Sequence, residues 1–170
     1  MDNIILIGMP ASGKSAAGVL LAKTLGYDFV DSDLVIQRTS GRLLADIIAT
    51  DGPEAFIQLE ESVNLSIDVH RSIIATGGSA VYGTRAMERF RAEGTVVYLE
   101  TSLETLEKRL KGKSILTRGV VMRTRGETFE DLYRERTPLY EKYADITVGC
   151  DSLDIERTVN AICEALQSSN

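Results

Sequence analysis

The residues G-M-P-A-S-G-K-S at positions 8–15 fill every fixed position of the pattern G-x-x-x-x-G-K-[ST]. Their surroundings fit it too. A short apolar run, IILIG (4–8), leads in, and a helical stretch, AAGVLLAKTL (16–25), leads out. Gly8 and Gly13 permit a tight turn and close approach of backbone to a ligand. Successive backbone N–H groups at the start of a helix then form a concavity that holds an anion. The candidate phosphate cradle is Gly8, Ala11, Ser12, Gly13 and Ala16, with Lys14 as the cation for β and γ phosphates and Ser15 as a hydroxyl ligand for Mg²⁺.

Outward from this loop, strand-like and helical stretches alternate. The strand candidates are 4–8, YDFVD (27–31), SIIAT (72–76), TVVYLE (95–100) and DITV (145–148). They are too continuously apolar for half-exposed strands, so a parallel sheet covered on both faces is expected. Helical spacing of apolar residues marks 14–25, 53–69 and 152–167, and Ser102 with Glu104 near its start marks 102–110. Alternating β and α units make an α/β fold. The stretch 111–126, KGKSILTRGVVMRTRG, interrupts the rhythm, is basic and glycine-containing, and reads as a lid.

The length of 170 residues suits one domain. A composition 44% hydrophobic and 26% charged is that of an ordinary globular chain. A net charge of −6 argues against duplex nucleic acid as a partner. No apolar run is long enough for a membrane span, and MDNIILIGMP has no basic leader, so a cytoplasmic protein is expected. Cys150 and Cys163 form neither a CxxC pair nor a metal cluster, and one histidine, His70, cannot make a zinc site. No NKxD-type guanine motif accompanies the phosphate loop, which disfavours a GTPase.

Three further motifs narrow the reading. F-V-D-S-D (29–33) ends the second strand candidate, where open α/β sheets bind ligands, and puts Asp31 and Asp33 on one side of an extended chain. Either carboxylate also suits a helix cap. A-T-G-G-S (75–79) is another strand end followed by a glycine turn, and R-T-P-L-Y (136–140) lies in a charged segment. In this order, together with an F-x-x-x-E helix at 56–60, they resemble the shikimate kinase family of small P-loop kinases over nearly the whole chain. The resemblance implies a P-loop NTPase-like three-layer α/β/α fold with strand order 2-3-1-4-5, an acceptor-binding region at 33–60 and a lid at 111–126. It implies ATP and Mg²⁺ as cofactors and a small-molecule hydroxyl acceptor; separately, with no unexplained apolar stripe left after the core helices, a monomer is expected. The resemblance places Asp31 near Mg²⁺, Asp33 at the acceptor hydroxyl as orienter or base, Gly77 and Gly78 along the acceptor pocket, Arg136 on the acceptor's carboxylate, and Arg109 near the nucleotide base. Arg118 in the lid is the candidate catalytic cation, with Lys113, Arg123 and Arg125 as alternatives.

Three positions depart from the family pattern. Ile57 stands where the family usually has an arginine that clamps the acceptor carboxylate, which removes a charge-assisted bidentate donor from the acceptor side. K-S-I-L (113–116) replaces the usual lid sequence, and Ser79 replaces a third glycine, where its hydroxyl would meet the acceptor pocket. The phosphoryl-transfer residues are complete, so the expected activity is ATP-dependent phosphorylation of shikimate or of another small hydroxyl compound. A nucleotide-binding module without catalysis would not need both Asp31 and Asp33.

Overall fold

Five apolar runs pair side by side as parallel strands: β1 (Asn3–Ile7), β2 (Asp28–Asp31), β3 (Ser72–Ala75), β4 (Gly94–Glu100) and β5 (Ile146–Gly149). Their order is β2-β3-β1-β4-β5, as the resemblance implies. The computed structural model describes residues 3–111, 119–123 and 126–168. Strand β1 is central and buried throughout, with Ile5 opposite Ile74 on one side and Val96 on the other. Successive side chains of a strand point to opposite faces, and β1 divides accordingly. Ile5 and Ile7 join one core with Phe90, Tyr98, Leu132 and Tyr140, while Ile4 and Leu6 join the other with Leu21, Val97, Val159 and Ile162.

Helices cover both faces. The second core lies under α1 (Lys14–Leu25) and α8 (Ile155–Ser168). The first lies under α5 (Thr84–Glu93), α6 (Leu103–Leu110) and α7 (Phe129–Tyr143). A third cluster, built on Ile36, Leu44, Ile47, Phe56, Val63 and Val121, packs α2 (Ser32–Ser40), α3 (Leu44–Asp51) and α4 (Pro53–Ser66) together beside the sheet.

The helices α2, α3, α5 and α7 were not marked by apolar periodicity. Two are eight or nine residues long and stop at Gly41 and Gly52. α5 and α7 are rich in charge and present only a narrow buried stripe. Helix α7 is started instead by a reciprocal capping box between Thr128 and Asp131.

The described part of the stretch read as a lid is built into the core. Val120 and Val121 are buried. The Val121 carbonyl accepts from Arg136 Nη2 at 2.7 Å. Arg123 pairs with Glu54 at 3.2 Å and Glu135 at 3.3 Å, with its guanidinium over the Tyr82 ring. Arg123 is itself exposed and is tied to α4 and α7 by these pairs. Lys113, Arg118 and Arg125 lie outside the described residues. Among the described residues, no helix is long and apolar enough to cross a membrane.

Leu6 lies at the centre of the sheet with no exposed surface. Truncation to alanine would leave a cavity, so Leu6→Ala is expected to cost about 2–5 kcal/mol of stability, measured as a shift in the urea midpoint at unchanged slope.

Candidate active site

The C-terminal ends of β1, β2 and β3 converge on one cleft. The loop after β1 turns through left-handed backbone at Ala11 (φ 68°) and Gly13 (φ 96°) before α1 begins. At Gly8 (φ 147°) a Cβ would stand 2.9 Å from the Leu99 carbonyl oxygen, so the loop can lie this close to β4 only with glycine there. Lys14 folds back under the loop. Its ammonium donates to the carbonyls of Gly8 and Met9, both at 2.8 Å, and to Ser12 Oγ at 3.4 Å. Burial lowers its pKa to about 8, against the opposing pull of Asp33. A phosphate beside it would raise that pKa again.

Asp31 does two jobs with its two oxygens. Oδ1 accepts from the backbone N–H of Asp33 (3.0 Å) and Leu34 (3.4 Å), capping α2. Oδ2 accepts from Ser15 Oγ at 2.8 Å. Asp31 therefore caps α2 with one oxygen and reaches the phosphate loop with the other. This hydroxyl and carboxylate are hard oxygen donors of the kind Mg²⁺ takes.

Asp33, one residue into α2, lines the cleft together with Lys14, Ser15, Gly77, Gly78 and Val120, around a cavity of about 380 Å³. Burial first, and Asp31 second, push its pKa up to about 6. A second cavity of about 640 Å³ continues from the first across Ala11, Gly13 and Ala16 to Arg109 and Ile155. Arg109 reaches it from α6, donating to the Ala11 carbonyl at 3.1 Å and the Cys150 carbonyl at 3.3 Å. The loop residues and Arg109 thus line one continuous trough.

Behind the glycine turn, beside Gly78, Arg136 is 1% exposed. Its Nε donates to the Tyr82 hydroxyl at 3.2 Å, and its Nη1 lies 3.0 Å from where a Cβ on Gly78 would stand. The Tyr140 hydroxyl, one turn further along α7, donates to the Gly78 carbonyl at 2.6 Å. Ser32 Oγ accepts from the Gly77 N–H at 3.2 Å. Sequence reading did not single out Ser32, Tyr82 or Tyr140. The signal for Tyr140 was its i+4 spacing from Arg136, and for Ser32 its place between two carboxylates.

The departures are placed differently from expectation. Ser79, 5% exposed, turns its hydroxyl away from the cleft and donates to Glu60 Oε2 at 2.6 Å. The physical reason is that a buried carboxyl needs a donor. Ile57 is half-buried and packs against the cluster of α2, α3 and α4. Glu60 itself is buried, and that burial drives its pKa up to about 8, with the Ser79 hydrogen bond opposing.

A family model described as shikimate kinase matches residues 10–167. The chain belongs to the shikimate kinase family. It is 36% identical to the shikimate kinase of Vibrio vulnificus over 98% of its own length and 97% of the relative's. It is 38% identical to that of Vibrio campbellii over 97% and 96%. A solved shikimate kinase from Acinetobacter baumannii in complex with shikimate superposes with a TM-score of 0.86 at 26% identity, covering 100% of this chain and 95% of that one. The Aquifex aeolicus enzyme gives 0.79 at 28%, covering 98% and 97%. A Sinorhizobium meliloti gluconokinase, at 16% identity and a TM-score of 0.58, shares the fold. As a shikimate kinase family member the chain is a phosphotransferase acting on a hydroxyl group.

Glu60 also makes stability depend on pH. An ordinary glutamate releases its proton near 4.5, whereas folded Glu60 holds its proton to about 8. Between those values the folded state binds more protons than the unfolded state, so stability falls as pH rises. Glu60→Gln lacks this proton and is expected to gain stability relative to the parent from about pH 5 to about pH 8. Urea unfolding across that range checks it, and a constant difference would mean that Glu60 is ionised in the fold.

Proposed function

We propose that this chain transfers the γ-phosphoryl group of Mg·ATP to a hydroxyl of shikimate. The observation that carries the reading is the position of Asp33. It shares one cleft with Lys14 and Ser15 on the phosphate side and with Gly77 and Gly78 on the other. A hydroxyl resting on that glycine turn would meet a half-buried carboxylate and the phosphate loop at once.

Each residue has a role consistent with its surroundings. The loop N–H groups and Lys14 hold the phosphates, and Arg109 borders the space left for the base. Ser15 and Asp31 would hold Mg²⁺, which when bound neutralises charge on the β and γ phosphates. Asp33, with its pKa pushed up to about 6, is ionised at neutral pH yet basic enough to take or orient the acceptor proton. Arg136 presents a planar guanidinium beside Gly78, suited to an acceptor carboxylate. Covalent help is not required, because positioning and charge neutralisation supply most of the catalysis. The trough is also a simple reason for water control, since an acceptor seated on Gly77 and Gly78 occupies the space a competing water would use.

The apolar Ile57 favours a second reading, in which another small hydroxyl compound replaces shikimate on the same frame. ADP release with Mg·ATP against a panel of small hydroxyl compounds separates the two: saturable turnover with shikimate supports the first, and turnover with another compound alone overturns it. Lys14→Ala is expected to lower turnover about 10²- to 10³-fold. Asp33→Asn is expected to lower it about 10²- to 10⁴-fold while nucleotide binding persists. Near-normal turnover in either variant would remove that residue from the mechanism.

A further inference from the structure

Behind the acceptor wall lies a carboxyl that phosphoryl transfer does not use. Glu60 extends from α4 and is 1% exposed. Its Oε2 accepts from Ser79, while Oε1 has no hydrogen-bond partner among the described residues. Oε1 stands 2.5 Å from where a Cβ on Gly77 would be, and Asp33 Oδ1 stands 2.7 Å from the same point. Gly77 is thus held between two carboxyls, and only a residue without a side chain fits there. The next residue, Gly78, abuts Arg136. The Gly77–Gly78 turn therefore lies against Glu60, Asp33 and Arg136 in succession.

Ile57 precedes Glu60 by three residues on α4, so the two share a face. An isoleucine neither donates to a carboxyl nor neutralises it. The donor comes from across the cleft wall, from Ser79. We propose that Glu60, fixed by Ser79, is a positioning residue that holds the Gly77–Ser79 turn against Asp33, and that Ile57 and Ser79 act through it as one specificity-determining pair. The proposal rests on the reading that the chain phosphorylates an acceptor hydroxyl.

Charge makes the pairing coherent. The groups acting on Glu60 are Ser79 from the turn, Asp33 from α2, Arg136 from α7 and Lys14 from α1. A protonated carboxyl beside isoleucine leaves the wall with the same net charge as a carboxylate beside a guanidinium. What changes is the donor count. Among the described residues, Arg136 is the guanidinium that abuts the glycine turn, and Ile57 packs into the cluster of α2, α3 and α4.

A double-mutant cycle tests the pair, using Ser79→Ala, Ile57→Arg and the double variant, with shikimate and ATP KM read separately. Ser79→Ala and Glu60→Ala are each expected to raise the shikimate KM about 5- to 50-fold and leave the ATP KM unchanged, as the loss of one buried hydrogen bond would. Glu60→Gln, whose amide oxygen still accepts from Ser79, is expected to stay within about threefold. Adding Ile57→Arg to Ser79→Ala is expected to recover most of the loss, because a guanidinium would then hold Glu60. Additive effects at 57 and 79, equal damage from Glu60→Gln and Glu60→Ala, or a parallel rise in ATP KM would each overturn the proposal. Amide hydrogen exchange at Gly77 and Ala80 gives the same answer without an acceptor. Ser79→Ala and Glu60→Ala should accelerate it and Glu60→Gln should not, whereas unchanged exchange in all three would overturn the strut. Absence of shikimate turnover in the parent protein, with the exchange pattern intact, would count against the acceptor identity alone.

Discussion

Lys14, Glu60 and Arg136 are buried and Asp33 is half-buried at one end of the sheet, and removing their charge from water carries a large free-energy cost. Much of the surrounding structure answers that cost. Lys14 bonds two loop carbonyls and the Ser12 hydroxyl. Arg136 takes the Tyr82 hydroxyl and the Val121 carbonyl, which in turn fixes residues 120–121 in the core. Asp33 and Glu60 respond by holding protons more tightly than exposed carboxyls do. Such displaced pKa values gather where chemistry is done, and here they border the cleft that faces the phosphate loop.

The legible part of the sequence was the part governed by local rules. Strand β1 and helix α1 follow from an apolar run and a glycine loop, and α1 begins and ends at the expected residues. The strand bounds fall within one residue of expectation at nearly every end, because buried parallel strands leave an unbroken apolar signature. Helices α2 and α3 escaped because eight or nine residues give too few turns for a periodic stripe to stand out. Helix α7 escaped because its surface is charged and its buried residues, Leu132, Arg136, Tyr140 and Tyr143, include a cation.

The site divides along the same line. Lys14, Ser15, Asp31, Asp33, Gly77 and Gly78 stand in short motifs, and the fold brings them together. The Ser79–Glu60 bond joins residues 19 apart in sequence from different elements, and no local pattern encodes it. The double duty of Asp31 was open in the sequence as two alternatives, since a carboxylate at a strand end can cap or coordinate. Only the distance from Ser15 to its second oxygen shows that one role leaves room for the other. The pairs of Arg123 with Glu54 of α4 and Glu135 of α7 likewise join distant segments, and the basic stretch around it does not encode them.

The two walls of the cleft come from different parts of the chain, and this separates what can vary from what cannot. Phosphate-side groups sit on β1, α1 and the end of β2, where left-handed backbone, close packing against β4 and a helix N-terminus leave little freedom. Acceptor-side groups sit on α4, α7 and the glycine turn, and meet one another through side chains. A change at residue 57 can therefore be balanced at residue 79 without altering the backbone of the phosphate loop. Asp33 is the exception, since it borders both walls and touches the same glycine as Glu60. Any rearrangement of the acceptor wall must keep that contact, which is why a hydroxyl donor, small enough to leave Gly77 in place, is a physically economical partner for Glu60 beside an isoleucine.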